Sequence, residues 1–532
     1  MSDPRVRAAR VRRCLCLICA GFASIPSFSC SSSSAPTVGS AGVANLGGGG
    51  DDTTGTSGAN SGGNDVSGGG SGPAGAGGSA AGSSNTAGTG GSVPVSAVTI
   101  SRRFPASKAK VCADAPLRLT FSAPVSVGAA GKIQVFKASA PDTPVDSIDI
   151  AAASFRDAIS GRAFYKVRPI FFEGNDAVVY LHTKALNPGE NYFVTIDAGV
   201  FVDTSNAPLP AIGGAEAWPF STVAPAPVLA SSLTVSREGE GDFCTVQGAI
   251  DFIPAANASP VTVTIKNGTY HEVVYISGKN QIALHGEDRK RTIIAYPNND
   301  ALQQKLGTSF RAMVDAEGTT GLVIENLTLH NTTPQGGSQA EALRIEPGDQ
   351  AILRNADFIS LQDTLLLSGR VYVTGSYVEG NVDFIWGKGT AYFENSEIKT
   401  VGRAGFLVQS RNGLNYGYVF VDSIFSTDGK AVGTLLGRIE ADRFPTSNVA
   451  YVNCKFAPFI APKGWLITNS MAANTSGLDL SGLRFWEYQS VDLDGKPLDV
   501  SQRDPASKQL NATDAATLRD KSVVLAGWAP TP

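Results

Sequence analysis

Histidine is scarce in this chain of 532 residues, with only four, and no Gly-x-Ser-x-Gly segment is present. A Ser-His-Asp hydrolase needs a histidine base beside an exposed serine, so both shortages argue against that class of enzyme. The 43 basic and 47 acidic residues form no basic run beyond the N-terminus, which argues against nucleic-acid binding. After residue 30 no stretch is apolar enough to cross a membrane as a helix.

Cysteine is also sparse and unevenly placed. Four of the seven cysteines lie in the first 30 residues, and the others are Cys112, Cys244 and Cys454. No pair has the spacing of a metal site, so no metal centre is expected. Because these three are odd in number and far apart, the sequence predicts small buried thiols.

Residues 1–29 predict an export signal, in which arginines between Arg5 and Arg13 precede a short apolar stretch. The stretch ends at Ser27-Phe28-Ser29-Cys30, which resembles a bacterial lipoprotein cleavage site with Cys30 as the lipidated residue. Plain secretion is the alternative. The expected location is therefore the outer membrane or cell surface, through the lipid alone, or the exterior of the cell.

Composition divides the rest of the chain. Residues 30–96 are rich in Gly and Ser and are expected to form a disordered tether. Residues 97–223 contain short alternating strands and resemble a bacterial Ig-like β-sandwich, and a Pro-rich hinge follows. Residues 228–532 contain all the candidate catalytic residues. Near the C-terminus a short helix is predicted from Asp514 to Val523, and this segment is expected to pack on the rest of the region with Trp528 as its anchor.

A repeat runs through residues 228–532. Six similar strand-like segments are separated by steps of 29, 20, 20, 27 and 31 residues. Their centres are Asn326, Asn355, Gly375, Asn395, Asp422 and Asn453. Strands in a fixed phase with variable insertions are typical of a solenoid. The sequence therefore predicts an all-β protein whose larger part is a right-handed parallel β-helix; a β-sandwich has short strands too but does not hold a 20-residue step.

Two aspartates interrupt apolar segments of this repeat. Asp363 lies in Leu361–Leu365 and Asp383 in Gly380–Gly387, 20 residues later. If the chain coils once per repeat, the two carboxylates lie on neighbouring strands, which are about 4.8 Å apart. Paired carboxylates take different pKa values, so that one serves as nucleophile and the other as general acid and then base.

Supporting groups lie at matching distances along the chain. Gln362 is next to Asp363, and Gln339 precedes Gln362 by 23 residues, about one coil. Both side chains can donate N–H groups to an oxyanion without adding charge. Arg438 is the candidate that keeps the nucleophilic carboxylate ionised and oriented.

Several segments, in this order, resemble those of the pectinesterase family. They are Asp242–Gln247 with Ala249-Ile250, Gly268–Glu272, Gln339–Arg344, Gln362–Leu365, Gly380–Gly387, Leu436–Arg438 and Gly464-Trp465. The resemblance implies that Asp383 attacks a methyl ester of pectin and that Asp363 protonates the departing methanol. It also implies that Gln339 and Gln362 bind the oxyanion, that Arg438 pairs with Asp383, and that no cofactor or metal takes part. A monomer acting on pectin or oligogalacturonides is expected.

Two positions depart from the family pattern. The usual Gly-Arg-Pro-Trp is Gly437-Arg438-Ile439-Glu440 here, and Leu361 stands where an aromatic residue often precedes Gln-Asp-Thr. Trp386 and Glu440 are therefore candidate substrate-binding residues, with tight packing as an equal alternative role for Trp386. Glu440 is expected to repel de-esterified pectin.

Other functions stay open at this point. A pectate lyase on the same fold needs a calcium-binding acidic cluster and a basic proton abstractor. Another ester or thioester is an alternative substrate, and a non-catalytic surface protein fits the predicted anchor, tether and Ig-like module. Because residues 97–223 show no catalytic set, a truncated protein starting near Pro227 is expected to keep most of its activity on soluble substrate.

Overall fold

The structure, a computed structural model, describes residues 95–224, 231–306, 310–413, 416–472 and 474–531. The predicted signal, the lipidation site Cys30, nearly all of the tether and most of the hinge lie outside the described residues. The described residues after Thr89 belong to one compact unit. No helix in these described ranges has the length and apolar character needed to cross a membrane.

The N-terminal region is built from strands. In chain order they are β1 (Ile100–Phe104), β2 (Lys110–Val111), β3 (Leu117–Phe121), β4 (Val125–Val127), β5 (Lys132–Lys137), β6 (Ala140–Asp149), β7 (Ser154–Ile159), β8 (Arg162–Val167), β9 (Ile170–Glu173), β10 (Asp176–Val179), β11 (Asn191–Ile196), β12 (Phe201–Asp203) and β13 (Pro219–Thr222).

Two sheets of the N-terminal region enclose a common core. One has the order β1-β3-β10-β9 and the other β2-β13-β11-β5-β6, and the pairing is antiparallel except between β2 and β13. Alternate residues of both sheets, among them Leu119, Val135 and Val194, pack in one buried cluster. This arrangement is consistent with the predicted Ig-like sandwich, and the Ig-like assignment itself stays a prediction.

The second region consists mainly of short strands. They are β14 (Ser232–Val235), β15 (Val261–Ile265), β16 (Gly268–Tyr270), β17 (Val274–Ser277), β18 (Ile282–Gly286), β19 (Thr292–Tyr296), β20 (Val314–Glu317), β21 (Thr319–Thr320), β22 (Val323–Glu325), β23 (Thr328–Asn331), β24 (Leu343–Ile345), β25 (Gly348–Asp349), β26 (Ala351–Arg354), β27 (Asp357–Ile359), β28 (Leu365–Leu367), β29 (Arg370–Thr374), β30 (Tyr377–Gly380), β31 (Val382–Gly387), β32 (Thr390–Glu394), β33 (Glu397–Thr400), β34 (Phe406–Ser410), β35 (Tyr418–Val421), β36 (Ile424–Thr427), β37 (Leu435–Glu440), β38 (Asn448–Val452), β39 (Lys455–Phe456), β40 (Trp465–Thr468), β41 (Arg484–Tyr488), β42 (Val491–Asp492) and β43 (Ser507–Gln509). The helices are α1 (Val246–Phe252), α2 (Asp300–Gln303), α3 (Ala512–Arg519) and α4 (Lys521–Val524), with a 3₁₀ turn at Gln304–Leu306.

These strands form a parallel β-helix, as the sequence predicts. Sheet A has the order β14-β15-β18-β22-β26-β29-β32-β35-β38-β41-β43, and sheet B has β16-β19-β23-β27-β30-β33-β36-β39-β42. Sheet C has β17-β20-β24-β28-β31-β34-β37-β40. Each coil passes from A to B to C, and inward side chains stack between coils; the rings of Phe393 and Phe420, for example, are stacked at 4.5 Å.

The six repeat centres lie at the corners between sheets A and B rather than within strands. All six have φ between 46° and 57°, the left-handed region that Gly, Asn and Asp tolerate best. Two pairs of successive corner side chains bond to each other: Asn355 Nδ2 donates to Asn326 Oδ1 at 2.6 Å, and Asn453 Nδ2 donates to Asp422 Oδ1 at 3.3 Å. The repeat in the sequence is therefore a repeat of corners, which the backbone restricts to these residue types.

The C-terminal segment packs on the outside of sheet A. Helices α3 and α4 bury Leu518 and Val524 against outward residues of that sheet, such as Tyr392 and Val419, and Trp528 is half-buried there. The helix predicted from Asp514 to Val523 is interrupted at Asp520, whose side chain caps α4 by accepting from the Ser522 N–H.

The prediction of three free thiols is wrong for two of them. Cys112, after β2, and Cys244, before α1, form a disulfide with a Cα–Cα distance of 5.9 Å. The two cysteines are 132 residues apart, and only the packing of the two regions brings them together. Cys454 is a buried thiol, and burial raises its pKa to about 12.

Candidate active site

The two aspartates stand one above the other on neighbouring coils. Asp363 lies between β27 and β28, and Asp383 is the second residue of β31. Gln362 pairs with Val382 in a parallel bridge, and the Asp363 N–H donates to the Val382 carbonyl at 3.1 Å. This register places the carboxylate-bearing residues in equivalent positions, as the 20-residue step predicts.

Both aspartates have backbone conformations that few residues adopt. Asp363 has φ of 67° and Asp383 of 48°, in the left-handed region where most side chains cost roughly 1–2 kcal/mol. Strain of this kind is frequent at functional sites, where the surrounding structure holds it in place. Here the parallel sheet on both sides supplies that support.

Arg438, on β37, holds Asp383. Its Nε lies 2.8 Å from Asp383 Oδ1 and 2.9 Å from Oδ2, and its Nη2 lies 2.5 Å from Oδ2. Asp383 is only 4% exposed. A two-nitrogen contact with a guanidinium holds a buried carboxylate in one orientation.

Asp363 has different surroundings. It is 6% exposed, and Arg311 Nη2 donates to its Oδ2 at 3.1 Å. Burial and then the nearby Glu341 carboxylate raise the pKa of Asp363 well above its ordinary value, Arg311 and Arg411 oppose the rise, and Asp383 adds to it. Asp383 thus accepts from two nitrogens of one guanidinium, whereas Asp363 accepts from one and has a raised pKa, so that it is poised to carry a proton.

The predicted oxyanion donors lie beside the pair. Gln339 and Gln362 are half-buried, and the Ala340 N–H donates to the Gln362 carbonyl at 3.2 Å, which joins their two coils. Among the described residues neither side-chain amide has a protein hydrogen-bond partner. Both amides are therefore available to a bound group.

Trp386 lies in the outward column of sheet C that leads to Arg438. It pairs with Gln409 on β34, and its ring lies 4.9 Å from the Arg411 guanidinium carbon and 5.5 Å from that of Arg311. Its buried Nε1 has no hydrogen-bond partner in the described part of the chain. The ring is half-buried, so packing between two cations accounts for much of its surface.

Glu440 is not an isolated charge. Its Oε1 lies 3.8 Å from Arg438 Nη1, and its Oε2 lies 3.7 Å from Arg443 Nη1. The side chain is 21% exposed. Any repulsion of a negatively charged polymer by Glu440 is therefore reduced by the two guanidinium groups.

The sequence interpretation missed Arg311, Glu341 and Arg411. Glu341 is completely buried, and Arg311 Nε lies 3.0 Å from its Oε1. A signal for Glu341 was present, because a carboxylate in the apolar run Ala340–Leu343 needs a buried partner. Nothing in the sequence pointed to Arg311 as that partner.

Within the described ranges, one group of three residues has metal-ligating atoms close together, and it lies away from the aspartate pair. Cys112, Asp114 and Cys244 lie within 4.8 Å of one another. Because the two sulfurs are joined in the disulfide, they are not thiolates that could bind a metal ion.

Comparison with known proteins identifies the family. The pectinesterase family model matches residues 232–503. Pectinesterase 31 of Arabidopsis thaliana is 34% identical over 218 residues, covering 38% of this chain and 68% of the relative. Pectinesterase 4 of the same plant is 32% identical over 276 residues, covering 49% of this chain and 45% of the relative.

Among solved structures, a pectin methylesterase from carrot aligns with a TM-score of 0.49 and 23% identity, over 57% of this chain and 95% of the carrot chain. The family match covers every strand of the solenoid except β43 and includes every residue of the aspartate site described above. The chain belongs to the pectinesterase family.

Proposed function

We propose that this protein hydrolyses the methyl esters of pectin and releases methanol, with Asp383 as nucleophile and Asp363 as general acid and base. The observation that carries the proposal is the contrast within the pair. Asp383 is bound by Arg438 through Nε and Nη2, whereas Asp363 is buried beside Glu341, which raises its pKa. Family membership supports the same reaction.

The first half of the reaction forms an acyl-enzyme. A carboxylate oxygen of Asp383 attacks the ester carbonyl carbon, and the side-chain amides of Gln339 and Gln362 donate to the oxyanion. The bond to the methoxy oxygen breaks, and Asp363 gives its proton to that oxygen, so methanol leaves. The products at this stage are a mixed anhydride on Asp383 and an ionised Asp363.

The second half restores the enzyme. Asp363, now a base, takes a proton from a water molecule, whose oxygen attacks the substrate carbonyl of the anhydride. The carboxylate of Asp383 leaves and returns to Arg438, and the product is a free uronic acid group. Each residue ends in its initial protonation state.

In this proposal the substrate-binding surface around Leu361, Trp386 and Glu440, here called the groove, favours highly esterified or short substrates. Leu361 and Glu440 replace aromatic residues that would offer flat faces to sugar rings. The same replacements favour a second candidate, the hydrolysis of another ester or thioester on this fold.

Export is part of the proposal, with lipidation at Cys30 or plain secretion. The disulfide between Cys112 and Cys244 supports an oxidising compartment, because such bonds are rare in a reducing cytosol.

Methanol release from highly esterified pectin tests the proposal, with the wild-type protein, Asp383→Asn and Asp422→Asn. Asp422 has nearly the same φ as Asp383, 49° against 48°, but lies at a corner outside the site. We expect turnover to fall by several orders of magnitude in Asp383→Asn and to stay unchanged in Asp422→Asn. More than about one per cent residual turnover in folded Asp383→Asn would refute the nucleophile.

A chelator and a thioester substrate are added to the same assay. Calcium-dependent formation of unsaturated uronate ends would indicate a lyase. Thioester cleavage without methanol release would indicate the second candidate. Absence of all turnover would favour a non-catalytic surface protein.

A further inference from the structure

The β7–β8 hairpin belongs to the N-terminal region by sequence but packs into the solenoid. Its two strands pair only with each other. Ile159 and Phe164 are completely buried and belong to the same apolar cluster as the inward residues of the β-helix. The hairpin therefore serves as part of the wall of the solenoid's core.

The hairpin backbone is joined to the solenoid by a buried amide. The Tyr165 N–H donates to Gln303 Oε1 at 3.0 Å, and Gln303 Nε2 donates to the Tyr165 carbonyl at 2.7 Å. Gln303 Nε2 also donates to Asn298 Oδ1 at 2.8 Å. Gln303 is completely buried, so its loss would leave several polar groups unsatisfied.

Asn298, which accepts from Gln303, also bonds to the backbone of both neighbours of Arg311. Its Nδ2 donates to the Phe310 carbonyl at 3.1 Å and to the Ala312 carbonyl at 2.7 Å. From the hairpin side, the Arg162 guanidinium carbon lies 3.1 Å from the centre of the Phe310 ring. The backbone on each side of Arg311 is thus held by contacts that lead back to the hairpin.

Arg311 in turn lies between acidic groups of the active site. Its guanidinium contacts Glu341 at 3.0 Å, Asp363 at 3.1 Å and Asp300 at 3.7 Å. The cluster of Asp300, Glu341, Asp363, Asp383, Arg311, Arg411 and Arg438 holds four acids and three cations. It is electrically neutral when one acid carries a proton, and Asp363 is the acid whose surroundings favour the proton.

We propose that the β7–β8 hairpin is a positioning element of the active site, which fixes Arg311 between Glu341 and Asp363 through Gln303 and Asn298. The proposal rests on the function proposed above. It opposes the expectation that the solenoid alone keeps most of the activity on soluble substrate. Gln303, Asn298 and Arg311 act here as positioning residues for the acid–base group.

Displacement of Arg311 should raise the pKa of Asp363. The groups that act on Asp363 are Glu341, Asp383, Arg311, Arg411 and Arg438. If Arg311 moves away, the negative charge of Glu341 is less compensated, and the pKa of Asp363 rises further. The alkaline limb of the pH profile, where Asp363 loses its proton, then moves to higher pH, while the geometry for proton transfer deteriorates.

The test compares Gln303→Leu with Glu238→Gln in the full chain. Glu238 joins the two regions elsewhere, through Arg118 Nη1 at 2.7 Å, and has no contact with Arg311. We expect Gln303→Leu to lower kcat on esterified pectin at least tenfold, to leave KM within twofold and to raise the alkaline limb. Glu238→Gln should leave both kcat and the pH profile unchanged. Equal profiles for the two variants would overturn the proposal.

Two further measurements keep the proposal testable if Gln303→Leu misfolds or if the wild-type protein releases no methanol. Arg162→Gln removes the cation over Phe310 and should shift the pH profile in the same direction, less strongly. Hydrogen–deuterium exchange should rise at residues 311–316 in Gln303→Leu and Arg162→Gln but not in Glu238→Gln. Unchanged exchange in both hairpin-side variants would refute the positioning role, whereas an inactive wild type would refute only the proposed function.

Discussion

The carboxylate of Glu440 lies between Arg438 and Arg443, and this arrangement changes what its removal should do. Glu440→Gln leaves two guanidinium groups near the groove without their shared counter-ion, so free uronates should bind better. We expect KM to fall on low-ester pectin and to change little on high-ester pectin, with the difference disappearing at high salt. Steady-state kinetics on both substrates measures this, and equal changes on both would place Glu440 outside the groove.

Asp363 should make the stability of the protein depend on pH. Because its pKa is raised from the ordinary value of 3.8, its contribution is fully present below about that pH and is lost as the pH rises through the folded-state pKa. Asp363→Asn keeps a neutral side chain at this left-handed position. Its melting temperature relative to the wild type should therefore increase from pH 4 to pH 8. A constant difference over this range would mean that Asp363 titrates normally.

At the scale of single residues, the aspartates, the glutamines and Arg438 could be predicted as candidates from the sequence because their motifs are local. Arg311 could not be found in this way, since its partners Glu341 and Asp363 are 30 and 52 residues away. Their contact with Arg311 depends on how the segment between β19 and β20 folds.

Among the elements, strand β31 contains a glycine that the sheet requires. At Gly387, with φ of 132°, an added Cβ would lie 2.2 Å from the Leu367 carbonyl oxygen of the neighbouring coil. Gly387→Ala should therefore push β28 and β31 apart and lower both the melting temperature and kcat.

Gly375→Ala is the matched control, because Gly375 also has a positive φ, 57°, but an added Cβ there has no atom within 4 Å. Its cost is limited to backbone strain, roughly 1–2 kcal/mol. If the two variants melt at the same temperature, the contact between the coils is not limiting.

The sequence predicted the coils of the solenoid but not the packing of the β7–β8 hairpin. The corners repeat residue types that accept positive φ, so the coil step was visible at Asn326, Asn355 and the later centres. The β7–β8 hairpin was not, because its apolar residues have the same alternation as any sandwich strand. Which core receives Phe164 is decided by tertiary packing alone.

For the molecule as a whole, the disulfide is the strongest single link between the two regions. It closes an interval of 132 residues, and a cross-link of this span stabilises a folded protein by about 2–5 kcal/mol. The double variant Cys112→Ala, Cys244→Ala should therefore unfold at lower denaturant concentration. Reductant should weaken the wild type and have no further effect on the variant; equal midpoints for wild type and variant under oxidising conditions would contradict a stabilising bond.

The left-handed backbone conformations of Asp363 and Asp383 also limit how this site can vary during evolution. A longer carboxylate, as in Glu, would add a methylene at a backbone conformation that few side chains accept. Asn and Gly accept this backbone conformation but have no carboxyl group. The reach of the two carboxylates therefore cannot change by one carbon without rebuilding a coil. Under the proposed function, variation for new substrates falls instead on positions such as Leu361 and Glu440.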